Sequence, residues 1–172
     1  MNKNIKTVLT LFLISGLSGL LLNIFNNFTA ERIEKNYTKK IEKIAKSVFV
    51  DTTNIDIISI SGYDFVVSEV KCYNNDNVEI GSLFEAKGNN KFGNISLLVA
   101  IENNCIKEVK ILSMKQSYGK TAKSFIEKTF SDDLAFEYVE GLDLKCGATY
   151  SAELIKSLVS DVIKVYGDRY EG

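Results

Sequence analysis

Two lysines, Lys3 and Lys6, open the chain, and the stretch from Thr7 to Phe25 then carries no charge at all. Leu, Ile, Val and Phe dominate it, and as a helix it is about 28 Å long, close to the hydrocarbon thickness of a bilayer. A cleaved signal peptide begins in the same way. This apolar run is longer than an ordinary signal core, however, and no A-x-A site or lipoprotein cysteine follows it. The pattern therefore predicts one uncleaved N-terminal transmembrane helix within residues 1–28. Ser15 and Gly19, four apart, form a small-residue pair of the kind found where membrane helices pack. Positive charge lies on both sides of the run, with Arg32, Lys35, Lys39 and Lys40 interleaved with Glu31, Glu34 and Glu42. Counting basic residues thus leaves the orientation open; a short basic N-terminus ordinarily stays in the cytoplasm, which puts the remainder outside.

From Thr29 to Phe49 the period changes. Ile33, Tyr37, Ile41, Ile44 and Val48 recur at three- and four-residue steps with charges between them, predicting an amphipathic helix laid against a domain. A short coiled coil is the competing reading, although the register covers only about two heptads. Five strand-like segments follow: Ile55 to Ser61, Phe65 to Tyr73, Val78 to Ala86, Asn94 to Glu102 and Ile106 to Ser113. The clearest is the fourth, with Ile95, Leu97, Val99 and Ile101 on one face, and Asn103-Asn104 after it signals a tight turn. Helical periodicity returns over Lys120 to Phe130 and, most strongly, over Ser151 to Tyr166. The expected fold is α+β, a mainly antiparallel sheet packed with helices over residues 29–172, preceded by the membrane anchor.

Composition narrows the function. The 172 residues carry a net charge of −1, without the basic excess of a nucleic-acid binder. There is no histidine, which removes Ser-His-Asp and Cys-His catalysis and every His-ligated metal site. There is no proline either, so turns fall to Gly, Asn, Asp and Ser. Cys72, Cys105 and Cys146 form no C-x-x-C pair, leaving a zinc ribbon or iron–sulfur cluster without support. Three free, buried thiols are expected, with a Cys72–Cys105 disulfide as the alternative.

One segment carries candidate chemistry: Asp143-Leu144-Lys145-Cys146-Gly147-Ala148-Thr149-Tyr150-Ser151, just ahead of the last helix. Small Gly147 and Ala148 let a ligand approach the backbone, and Thr149 and Ser151 put hydroxyls at a helix N-terminus, where phosphate is favoured. The same two residues read equally well as plain N-caps of a surface helix.

The segment resembles the flavinylation motif of the FMN-binding domains in the G subunit of the Rnf complex and the C subunit of the Na⁺-translocating NADH:quinone reductase. There an Asp, two variable residues and Ser-Gly-Ala-Thr precede the closing helix. Asp143 and Gly147-Ala148-Thr149 match, while Cys146 stands where Ser or Thr is usual. A second likeness lies upstream: Gly93 to Ile101 and Ile106 to Met114 resemble the family's strand pair. Gln116-Ser117-Tyr118-Gly119 then falls where that family has Glu-Thr-Pro-Gly beside the flavin, and Lys120 and Thr121 diverge.

The resemblance implies FMN held covalently by a phosphoester to Thr149, installed by a flavin transferase with FAD as donor and Mg²⁺. Asp143 is then part of what the transferase recognises. Cys146, Gly147, Ala148, Ser151, Gln116, Ser117, Tyr118 and Gly119 border the cofactor. Tyr118, Tyr150 and Phe125 are further candidates to pack on the ring. The implied protein is a single-pass electron carrier of the cell membrane, with its domain outside the cytoplasm. It belongs with other subunits of an Rnf-type complex that moves electrons between ferredoxin and NAD and couples this to ion transport. It is an electron-carrier subunit rather than a self-contained enzyme. A free-standing extracytoplasmic FMN carrier and a flavin-less docking subunit are the alternatives.

Overall fold

The computed structural model describes residues 3–130 and 133–170. Its elements are α1 (Lys3–Val48), β1 (Asn54–Ser59), β2 (Val66–Tyr73), β3 (Glu79–Asn90), β4 (Gly93–Glu102) and β5 (Cys105–Gln116), followed by α2 (Gly119–Thr129), β6 (Leu134–Ala135), a 3-10 turn (Phe136–Tyr138) and α3 (Thr149–Tyr170). The chain divides into two compact units, Met1–Lys40 and Ile41–Gly172.

The first unit is helical. Its apolar side chains are exposed, Phe12 at 74% and Leu22 at 71%. The hydroxyls within the run turn back on the helix: Thr10 Oγ1 donates to the Lys6 carbonyl at 2.9 Å and Ser18 Oγ to that of Ile14 at 2.8 Å. Such i−4 bonds keep polar atoms satisfied where no water is present. Length and composition make this one candidate membrane span, near the N-terminus. Beyond the run, Lys35 pairs with Glu31 four residues earlier, an order that also suits the helix dipole.

The second unit is built on a six-stranded antiparallel sheet in which every strand pairs with its neighbour in sequence, β1-β2-β3-β4-β5-β6. The pattern of apolar positions found five of these strands. The sixth has two residues, Leu134 and Ala135, pairing Ile106 and Cys105, and is too short to show a period. Asn103 and Asn104 both adopt positive φ, 51° and 58°, the conformation of the two-residue type I′ hairpin that joins β4 to β5.

Both sheet faces are apolar. On one, Phe84, Ala86, Ile95, Leu97, Val99 and Ile101 meet Phe125 and Ile126 of α2 and Ile155, Leu158, Val159 and Val162 of α3. Each large apolar side chain buried there contributes about 1.5–3 kcal/mol. Gly88 of β3 lets α3 come close, since a Cβ at that position would lie 2.9 Å from Leu154 Cδ1. Strand alternation leaves Val70, Leu83, Leu98 and Ala100 for the other face. Phe49 packs over that face at Gly81, and Ile41, Ala45 and Val48 in the last turns of α1 are buried with it.

Two strand glutamates are buried among these apolar residues. Glu69 (0% exposed) binds Arg169 Nη2 at 2.7 Å and accepts hydrogen bonds from Tyr170 Oη and Ser82 Oγ. Glu85 (1%) accepts from Ser68 Oγ at 3.2 Å and Ser96 Oγ at 3.0 Å, and pairs with Lys87 at 3.0 Å. Such carboxylates are tolerated only when surrounded by donors.

Candidate functional site

At one end of the sheet three chain segments converge: the β3–β4 turn at Lys91-Phe92, the end of β5 with the start of α2, and the loop entering α3. The link is Gln116. Its Nε2 donates to Asn90 Oδ1 at 3.1 Å and to the Gly93 carbonyl at 2.6 Å, while its Oε1 accepts from Ser151 Oγ at 2.8 Å. Asn90 completes the clamp, donating from Nδ2 to the Tyr150 carbonyl at 3.0 Å and accepting the Phe92 amide at 2.9 Å. Bonds of this type are worth about 0.5–1.5 kcal/mol each, and several sharing partners fix one geometry. The two segments singled out in sequence, 116–119 and 143–151, are therefore held against each other across 35 residues of chain.

Each sequence-predicted residue has a definite place. Thr149 is the first residue of α3; it is exposed, and its hydroxyl makes no hydrogen bond among the described residues. The N-cap position belongs to Ala148, whose carbonyl accepts the amides of Ser151 and Ala152, so neither Thr149 nor Ser151 caps the helix. Ser151 is 1% exposed and faces inward to Gln116. Ala148 is also buried, so its small size serves packing. Gly147 is exposed with φ +75°, a left-handed turn into the helix that favours glycine. Asp143 is exposed, and its Oδ1 accepts the Lys145 amide at 3.0 Å, closing a local turn. Ser117 and Tyr118 are exposed, the Ser117 amide donating to the Phe92 carbonyl. Gly119, half-buried, starts α2 against Met114. Phe125 is a core residue, edge-to-face with Phe130, and offers no face to a ligand.

Sequence reasoning missed three members of this site: Asn90, Lys91 and Phe92. The available signal was Phe92 itself, a large aromatic in an otherwise polar turn. Its ring lies 5.7 Å from both Tyr118 and Tyr150, and Lys91 Nζ stands 3.8 Å from the Tyr150 ring centroid.

The three cysteines are free, as expected, but only Cys72 is buried; Cys105 and Cys146 are half-buried because β5 carries Cys105 beside the tight turn and Cys146 lies in a loop. Burial pushes the Cys72 thiol up to about 11, with the nearby Thr52 hydroxyl opposing the shift and the charge of Glu79 adding to it. Cys72 is therefore expected to react with a thiol reagent near pH 8 only after unfolding, whereas Cys146 reacts in the native protein. Because the native pKa is the higher one, the stability this thiol contributes is complete below its unfolded value, about 8.5. It is lost as the pH rises toward 11. Denaturant melts across that window should show a shallower decline in Cys72→Ala; equal slopes would contradict the assignment.

No metal-holding group of three or more Cys, Asp or Glu occurs among the described residues. No family model matches this chain, and no curated protein matches it in sequence.

Proposed function

We propose that the protein is a membrane-anchored electron-transfer flavoprotein that carries FMN on Thr149, as a subunit of an Rnf-type redox complex with its domain outside the cytoplasm. The observation that carries this reading is the exposed, unengaged Thr149 hydroxyl at the first turn of a 22-residue helix. The segment 116–119 is clamped beside it through Ser151 and Gln116. These are the two segments on which the family resemblance rests.

The residues present fit the group. An acceptor hydroxyl has to be reachable by a transferase, and Thr149 is exposed while its neighbours Ala148 and Ser151 are buried and hold it in place. Amides and the dipole at the start of α3 favour the negative charge of a phosphoester there. In the attachment step the Thr149 oxygen bonds to the FMN phosphorus of FAD, the pyrophosphate bond breaks, AMP leaves, and the hydroxyl proton is lost to the transferase. FMN supplies the electron transfer once bound, and the chain supplies position and polarity. A covalent tether suits a carrier outside the cytoplasm, where lost FMN is not readily replaced.

Co-expression with a flavin transferase, followed by intact mass, tests the reading. The expected result is a gain of FMN less one water in the wild type and none in Thr149→Ala. An unmodified wild type, with the transferase active on a control substrate, would leave the flavin-less docking subunit as the better account. Co-purification with integral membrane partners then separates a complex subunit from a free-standing carrier.

A further inference from the structure

The aromatic cluster at the sheet end is not explained by packing alone. Tyr118 and Tyr150 remain 53% and 54% exposed, although each reaches Phe92, which is itself only half-buried. Phe92 meets Tyr118 edge-on, at 78° between ring planes, and Tyr150 at 45°, so it braces both without covering either. The three rings come from separate segments and are fixed by the Asn90–Gln116–Ser151 clamp. Lys91 adds a positive charge over Tyr150, the residue next to Thr149 in sequence. Flat apolar faces with one cation beside them complement a planar aromatic heterocycle that bears a phosphate.

Resting on the reading of Thr149 as the FMN carrier, we infer that Tyr118 and Tyr150, braced by Phe92, form the seat on which the isoalloxazine ring lies, with Lys91 beside the phosphoester. The tyrosines are positioning residues; the bond to the protein is made at Thr149. A seat of this kind has an optical consequence. A phenol in van der Waals contact with an oxidised isoalloxazine gives an electron to its excited state and regains it on return to the ground state, which quenches flavin fluorescence.

The test uses the full chain after treatment with the transferase, with intact mass and flavin fluorescence per bound flavin measured on the same samples. Tyr118→Leu, Tyr150→Leu and the double variant are expected to keep the mass gain and to fluoresce several-fold more brightly than wild type, the double variant most. Tyr138→Leu is the control, since Tyr138 is exposed and makes no ring contact among the described residues; it should match wild type. The substituted tyrosines are more than half exposed, so the variants should fold, and unchanged thermal unfolding verifies this. Full mass gain with unchanged fluorescence in the double variant overturns the seat and leaves the carrier reading intact. No mass gain in the wild type overturns the carrier reading, and the seat with it.

Discussion

Gly93→Ala is expected to destabilise the folded domain by about 3 kcal/mol or more, lowering its melting temperature by roughly 10 °C. Gly93 opens β4 with φ +127°, and a Cβ there would lie 1.8 Å from the Lys115 carbonyl oxygen and 2.9 Å from its carbon. Both obstacles are backbone, so no side chain can swing away. Either β4 or β5 must shift, breaking the pairing of Gly93 with Gln116 and of Asn94 with Lys115. The bond from Gln116 Nε2 to the Gly93 carbonyl goes with it, which loosens the clamp on α3. Gly62 provides the comparison: its φ is +92°, but nothing lies within 4 Å of an added Cβ, so Gly62→Ala carries only the backbone term, about 1 kcal/mol. Equal melting temperatures for the two variants would refute this account of Gly93.

Arg169→Ala is the second change expected to be severe. Glu69 is wholly buried in β2, and the Arg169 guanidinium at 2.7 Å is its only cationic partner among the described residues. Removing the cation leaves a buried carboxylate held by two hydroxyl groups, a situation that costs about 3 kcal/mol or more. Arg169 is itself 36% exposed, which places the value at the lower end of the usual range. Glu69→Gln in the Arg169→Ala background should recover part of the loss, because the neutral amide needs no counter-charge. A double-mutant cycle in urea, monitored by circular dichroism, measures this directly. Strict additivity of the two changes would show that the pair is not coupled.

The sequence made much of this architecture legible, and the exceptions share a cause. A charge-free apolar run located the first part of α1 and periodicity its remainder, which the structure joins into one helix; periodicity also located the cores of five strands, α2 and α3. The Asn103-Asn104 hairpin was readable from two residues, since few side chains accept consecutive positive φ. Strand ends were less legible: β3 continues past Ala86 to Asn90, and β5 past Ser113 to Gln116, through polar residues whose partners lie across the hairpin. Glu69 and Glu85 also read as polar positions on strands, yet both are buried, because Arg169 and Tyr170 at the far end of α3 reach Glu69 and flanking serines reach Glu85. Within the site, Thr149 and its neighbours were visible as a local motif. Gln116 was marked as a residue bordering a ligand, whereas its hydrogen bonds among the described residues are to Asn90, Gly93 and Ser151. A contact between residues 35 apart leaves no local period, so only the fold reveals it.

The unbranched order of the sheet also bears on how the protein is made. Because β1 to β5 each pair with the strand before, the sheet can zip up hairpin by hairpin over these five strands as the chain is synthesised, with only short loops to close. With no proline, no slow prolyl isomerisation interrupts that sequence. The face formed by Phe84, Leu97 and Val99, however, waits for α3, which emerges after all six strands. Until then a wide apolar surface stays open to water or to a chaperone, and Ser151 has not yet met Gln116. The Thr149 hydroxyl, at the first residue of α3, is thus brought into position only after all six strands have been made.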